Sequence, residues 1–185
     1  HMIVKDLVSE IIEHHALGKE YFLLAFRNDH IADHSLPGHF LMVSPAQPGG
    51  PLLRRPFGIL EVDGPKSTVW IYYQRVGIGT RRLSLLKPGD SLRVLGPLGN
   101  GFKPFSGKRI LLVAGGRGIA PLIFAARYLG SDNRVILLYG ARTAVAFLGV
   151  AVLLVLLVLG YYSLQITNHE VYSTASERNR VQLQP

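Results

Sequence analysis

The chain has no cysteine. That excludes a disulfide scaffold, a thiolate zinc site, a cysteine nucleophile and any iron–sulfur cluster held by its own thiolates. It also lacks an Arg/Lys-rich run or a basic recognition helix: the net charge of +8 comes from residues scattered through strand-like stretches, so nucleic acid is not an expected partner. No charged-then-apolar signal peptide follows His1-Met2, which reads as a cloning scar, so residues 1–143 are expected to be cytoplasmic. Low hydrophobicity, the mark of a disordered chain, is missing too, since 48% of the 185 residues are hydrophobic. What is present in quantity is glycine and proline, 20 and 11 residues spread along the chain, as turns between short strands require.

The charge divides the sequence in two. Residues 1–143 carry the whole net charge, whereas 144–185 hold only Glu170, Glu177, Arg178 and Arg180, which cancel. From Ala144 to Gly160 no side chain is charged or strongly polar, and the apolar character continues to Ile166. Twenty-three helical residues span about 34 Å, enough for a hydrocarbon core of about 30 Å. With no polar stripe on any side, a transmembrane-type helix over 144–166 is expected, followed by a polar tail over 167–185. Tyr161 and Tyr162 suit one interface, and Arg142 suits the cytoplasmic side. The whole chain is then expected to be a single-pass inner-membrane protein with a cytoplasmic N-terminus, in contact with the lipid bilayer through 144–166.

Before this junction the pattern is short and strand-like. Six β-rich stretches run from Ile3 to Gly99, separated by Gly, Pro, Asp and Asn, the spacing of an antiparallel barrel or sandwich. At Lys108 it changes. KRILLVAGG predicts a continuous apolar strand, IAPLIFAARYLG a helix with Leu122, Ala125, Ala126 and Leu129 on one side, and NRVILLYGA a second buried strand. Strand, glycine turn, helix and strand open a parallel α/β unit.

Two constellations carry chemistry. The turn Gly115-Gly116-Arg117-Gly118-Ile119-Ala120-Pro121 joins a strand to a helix, where bare backbone would admit a pyrophosphate to the helix N-terminus; a plain strand-to-helix turn is the alternative. Arg54-Arg55-Pro56-Phe57-Gly58 and Tyr73-Gln74-Arg75-Val76-Gly77-Ile78-Gly79-Thr80 lie about twenty residues apart. Arg55 offers a bidentate phosphate ligand, Phe57 a flat apolar face, and Gly77, Gly79 and Thr80 offer backbone N–H groups and a hydroxyl, which together suit a flavin dinucleotide. A surface arginine pair, a core aromatic and a turn is the other reading. His14-His15 and the His30–His34 pair are not expected to bind metal. Spacing of four serves a metal only on a helix, and the segment ending Ser35-Leu36-Pro37-Gly38 reads as a loop.

The order of these motifs is more specific than any one of them. Pro37-Gly38-His39-Phe40, Arg55-Pro56-Phe57-Gly58, Gly77-Ile78-Gly79-Thr80, Gly96-Pro97-Leu98-Gly99, Gly115-Gly116-Arg117-Gly118 and Tyr139-Gly140-Ala141-Arg142 follow one another. In this order, residues 3–143 resemble the ferredoxin–NADP reductase superfamily, and within it the electron-transfer subunit of bacterial NAD-dependent dihydroorotate dehydrogenase. The resemblance implies a six-stranded antiparallel FAD-binding barrel (3–104), then the start of a truncated NAD-binding α/β unit (105–143). It implies Arg55 on the FAD pyrophosphate, Phe57 on the flavin and Gly58 near its N5, with Pro56 between them. Gly77, Gly79 and Thr80 would hold the rest of FAD; Gly115, Gly116, Gly118 and Pro121 would shape the NAD site, with Gly140 and Arg142 near its adenosine end.

The implied function is a flavoprotein module that passes electrons from NADH through FAD to a partner dehydrogenase in pyrimidine biosynthesis. No residue of the chain is assigned a catalytic role, and without cysteine it is expected to hold no iron–sulfur cluster. Residues 145–185, in the Tyr-Tyr-Ser-Leu-Gln-Ile and Ser-Glu-Arg-Asn-Arg stretches, resemble the N-terminal membrane anchor of a class B penicillin-binding protein, an elongation-type transpeptidase. Neither Ser-x-x-Lys nor Lys-Thr-Gly occurs, so no transpeptidase activity is expected. Ser131-Asp132-Asn133 reads as a turn. The fold class expected is mixed β and α/β with one long apolar helix, an apparent chimera joined near Arg142–Ala144. The rival reading is a membrane anchor carrying a passive N-terminal domain.

Overall fold

Alternating apolar residues build the first half of the chain. In a computed structural model, which describes residues 4–46 and 53–141, these stretches form β1 (Lys5–Ala16), β2 (Tyr21–Arg27), β3 (Phe40–Pro45), β4 (Arg55–Asp63), β5 (Thr68–Gln74) and β6 (Ser91–Leu98). They close into an antiparallel barrel in the order β1-β2-β5-β4-β3-β6, with β6 pairing back to β1. Period-two alternation sends Phe22, Leu24, Phe26, Leu41, Val43, Ile59, Ile71, Tyr73 and Val94 into one shared core. Register shifts between Ile11 and Glu13, and between Ile59 and Glu61, bend the strands as closure of a small barrel demands.

Two short helices add to the barrel core. Helix α1 (Asp29–His34) begins at Asn28, whose Oδ1 accepts the Ile31 N–H at 3.0 Å while its Nδ2 donates to Ser9 Oγ at 2.7 Å; Ile31 is fully buried. The loop expected over His30–His34 is therefore a helix, because an asparagine cap and one buried isoleucine suffice to hold a single packed turn. The two imidazoles do stack, 4.4 Å apart, and His34 Nδ1 donates to the His30 carbonyl at 2.9 Å. Among the described residues no group of three or more metal-ligating side chains gathers there or elsewhere. Helix α2 (Ile78–Leu83) follows β5 and contributes Leu83 to the core, with Leu86 just beyond it.

The pattern change at Lys108 is real. β7 (Arg109–Gly115), a 3-10 turn (Gly116–Gly118), α3 (Ile119–Gly130) and β8 (Arg134–Gly140) form a right-order β–α–β unit with parallel pairing from Arg109↔Arg134 to Gly115↔Gly140. Ser131-Asp132-Asn133 is a turn, cross-tied by Asn133, which donates to Leu129 and Phe105 carbonyls and accepts from Lys108 N–H.

Two expectations for this unit need correction. The stripe on α3 is wider and rotated: Ile119, Ala120, Ile123, Phe124, Ala125 and Leu129 are buried, while Leu122 and Ala126 are only half-buried. The helix is clamped between the β7–β8 pair and barrel strand β4, and Phe124 joins the barrel core. Nor are the strands buried on both faces. Leu111 (59%), Val113 (68%), Ile136 (51%) and Leu138 (52%) are exposed, because α3 covers one side of the pair only.

The expected inner-membrane location is also corrected. Among the described residues no helix is long and apolar enough to cross a membrane. The longest, α3, has 12 residues, about 18 Å against a core of about 30 Å. The helix expected over 144–166, the tail over 167–185 and Arg142 lie outside the described residues.

Candidate functional site

The paired arginines separate at the start of strand β4, Arg54 just before it and Arg55 its first residue. Arg54 donates from Nη2 to Asp6 Oδ2 at 2.6 Å, and Arg93 lies 3.8 Å from the same oxygen. The Arg54 hydrogen bond holds the Asp6 carboxyl below the ordinary carboxylate range. Arg54 is thus committed to a surface ion cluster. Arg55, paired across the strand with Val43, turns the other way, toward α2, and spends one donor on the Leu53 carbonyl at 2.7 Å.

Its guanidinium lies over the bare backbone of Gly79. A Cβ placed at Gly79 would stand 2.9 Å from Arg55 Nε, so the close approach exists only because that residue is glycine. Thr80, 6% exposed, is next to it. Its hydroxyl accepts from Val76 N–H at 2.9 Å and Gly77 N–H at 3.0 Å, and donates to the Gly77 carbonyl at 3.1 Å. The hydroxyl expected to touch a ligand is instead used to shape the Val76–Thr80 turn. Gly77 itself has no heavy atom within 4 Å of where a Cβ would sit, so that side of it is open, while its N–H and carbonyl are spent within the turn and helix.

Two residues along β4, on the side of Arg55, is Phe57. It is half-buried and rests on the Tyr73 ring, 5.5 Å between centroids. Pro56 between them is exposed. Gly58 points the other way, at α3: a Cβ there would meet Pro121 Cδ at 3.1 Å. Gly58 and Pro121, placed in two different sites by the sequence, are therefore packed on one another where the β–α–β unit meets the barrel. Arg127 of α3 and Glu61 of β4 form an ion pair along the same seam.

Gly115, Gly116 and Gly118 form the end of β7 and the turn into α3, and Gly140 lies beside Gly115 in the parallel register. None would place a Cβ within 4 Å of another atom, and Gly116 has φ +51°. Uncrowded backbone thus collects at the carboxyl ends of two parallel strands, the edge where open α/β sheets take ligands. This edge adjoins barrel strand β5. Burial pushes the Tyr72 phenol up, Tyr139 and Tyr21 add to the shift, and the Arg117 charge opposes it. Tyr21 and Tyr72 stack at 5.8 Å.

Two further residues meet here that the motifs leave without a binding role, Tyr73 at the head of the Tyr73–Thr80 stretch and His14 on β1. In the fold His14 Nε2 lies 2.9 Å from the Tyr73 hydroxyl and Nδ1 lies 2.7 Å from the Leu86 carbonyl. Inward placement of both by strand alternation was the available signal. His15 alternates outward and pairs with Glu13.

No family model matches the chain. The electron transfer subunit of dihydroorotate dehydrogenase B (NAD(+)) from Desulforamulus reducens is 39% identical over 123 residues, which is 65% of this chain and 47% of that protein. Its counterpart from Geobacillus thermodenitrificans is 33% identical over 141 residues, 74% of this chain and 54% of the relative. The chain spans about half the length of the curated relatives it matches. Neither of these two relatives is a penicillin-binding protein. Among solved structures, an NADH-dependent reduced ferredoxin-NADP oxidoreductase aligns with TM-score 0.68 and 29% identity over 76% of this chain and 50% of that one. The ferredoxin reductase of carbazole 1,9a-dioxygenase, in its FAD apo form, aligns with TM-score 0.62 and 25% identity over 76% and 45%. In sequence the chain is thus similar to electron transfer subunits of dihydroorotate dehydrogenase B, and its closed six-stranded barrel with the attached β–α–β unit is similar to the fold of ferredoxin reductases.

Proposed function

We propose that this chain is the flavin-holding part of an electron-transfer flavoprotein, taking electrons from NADH and passing them to a catalytic dehydrogenase partner, as in dihydroorotate oxidation for pyrimidine synthesis. Residues 3–104 are the FAD-binding barrel, and 105–143 open the nicotinamide-nucleotide unit. The observation that carries this is Arg55 laid against the bare backbone of Gly79, with Phe57 two residues further along the same side of β4. A cation, a glycine and a flat apolar ring in that order suit a pyrophosphate joined to an aromatic ring system. The relatives support the same reading.

Bound FAD would supply two-electron chemistry with NADH as hydride donor. The chain's own residues bind and orient. Arg55 keeps free guanidinium donors for phosphate oxygens. Thr80 holds the Val76–Thr80 turn that sets Gly79 under Arg55, Gly77 leaves the space on its bare side open, and Phe57 offers its uncovered part to the ring. Because Gly58 carries no side chain, any hydrogen bond at its position comes from backbone. Gly115, Gly116, Gly118 and Gly140 leave the adjoining strand ends open to a second nucleotide, and Pro121 seats that unit on the barrel.

Titration of the purified chain with FAD, followed by flavin fluorescence and absorbance, tests the reading. Saturable binding is expected, weakened at least about tenfold by Arg55→Ala, the loss of a charge-assisted contact. Absence of uptake by the unaltered chain, or equal affinity in the variant, would refute it.

A further inference from the structure

The polar pair His14, half-buried, and Tyr73 sits against the apolar core of the barrel. Tyr73 is 1% exposed, stacks on Phe22 at 5.3 Å and supports Phe57 at 5.5 Å. A carbonyl only accepts, so the 2.7 Å contact with Leu86 puts the proton of His14 on Nδ1. Nε2 is then the acceptor, and the Tyr73 hydroxyl donates to it at 2.9 Å. The relay is directional and uses both ring nitrogens of a neutral imidazole.

Its two ends are what give it meaning. Leu86 follows α2, the helix whose first turn carries Gly79 under Arg55. Tyr73 ends against Phe57, which shares a strand side with Arg55. The relay therefore runs from the segment behind the glycine turn, across β1, to the ring that flanks the arginine. We propose that His14 and Tyr73 are positioning residues of the flavin site, holding Phe57 and the α2 segment at a set separation so that one ligand can meet both. This rests on the FAD reading above. Apolar side chains of the same volume would fill the barrel equally well. What they would not do is hold the far end of the Tyr73 ring in one place, because only the hydroxyl is anchored at a definite point. Burial holds His14 below its ordinary value, toward the neutral form the relay requires.

The test uses the full chain, with Tyr73→Phe as the main variant and His14→Gln as a second, both followed by thermal melts to show that they fold. Three readouts are compared with the unaltered chain: FAD affinity, the visible circular dichroism of the flavin at saturating FAD, and the fluorine resonance of a fluorophenylalanine placed at Phe57 in the FAD-free protein. The expected result for Tyr73→Phe is a cooperative melt, FAD binding about five- to tenfold weaker, an altered flavin dichroism band and a displaced or broadened resonance at Phe57. An unmoved Phe57 resonance overturns the proposal, whether or not affinity falls, since any effect would then bypass that ring. Unchanged affinity and dichroism overturn it as well. If the unaltered chain takes up no FAD, the flavin reading fails with the assignment to a flavin site, while the FAD-free resonance still reports whether the relay holds Phe57.

Discussion

Gly79 and Thr80 are neighbours in α2 with separate duties, one keeping space and the other keeping shape. Alanine at Gly79 suits a helix better by about 1 kcal/mol, yet its methyl would stand 2.9 Å from Arg55 Nε and push the guanidinium away. Gly79→Ala is therefore expected to leave the melting midpoint unchanged or raise it while weakening FAD binding, and a paired melt and titration would show the opposite signs. The buried imidazoles set a pH dependence. His14 and His39 are both held below the ordinary value of 6.5, chiefly by burial. As pH falls through that range the unfolded chain takes up protons that the folded chain refuses, so stability is lost on acidification. His15, Tyr73 and the Leu86 carbonyl are the polar groups facing His14. Melts from about pH 7.5 to about pH 5.5 are expected to shift downward, with a shallower slope in His14→Gln and a remainder due to His39.

Among elements, the β7–β8 pair is covered on one face only. Its inner side chains meet α3, and its outer ones, Leu111, Val113, Ile136 and Leu138, meet none of the described elements closely enough to lose their exposure. Val113→Thr and Leu138→Thr are therefore expected to change stability by no more than about 0.5 kcal/mol. They should also reduce binding of an apolar dye, measured by its fluorescence; a large loss of stability would mean that this face is covered after all. The same pair shows how far periodicity reaches. An unbroken apolar run such as Val135–Leu138 reads as a strand buried on both sides. Whether both sides are in fact covered depends on what other elements stand there, which the run does not encode. The α3 stripe was misjudged for the related reason that a second surface, β4, claims part of the helix.

For the molecule as a whole, the barrel and the β–α–β unit meet along one seam, where Gly58 touches Pro121 and Arg127 pairs with Glu61. Phe124 carries that seam into the barrel core. A ligand held at Arg55 stabilises the barrel directly, and the packed seam carries that stabilisation to the β–α–β unit, so both parts share it. FAD at a hundred times its dissociation constant is expected to add about 2.7 kcal/mol, seen as a rise of several degrees in one cooperative melting transition. Two separate transitions, or a midpoint indifferent to FAD, would show that the parts do not share the ligand. Expectations at this scale fared unevenly. Motif order along the chain led to the right barrel, because the motifs fall on strand ends and connections in the order the topology needs, whereas the inner-membrane location rests on one segment's hydropathy.

By itself the sequence determined the strands and helix α3, the change from antiparallel to parallel pairing at Lys108, and the motif order that relates the chain to flavin-linked reductases. These follow from local alternation and from glycines at turns, which act over a few residues. Only the tertiary structure decided which arginine of the pair faces the glycine turn, that the Thr80 hydroxyl serves its own loop, that His30–His34 is helical, and that His14 meets Tyr73 and Leu86 across 59 and 72 residues of chain. Those outcomes depend on barrel closure, which brings distant strands to hydrogen-bonding distance and has no signature in any single stretch.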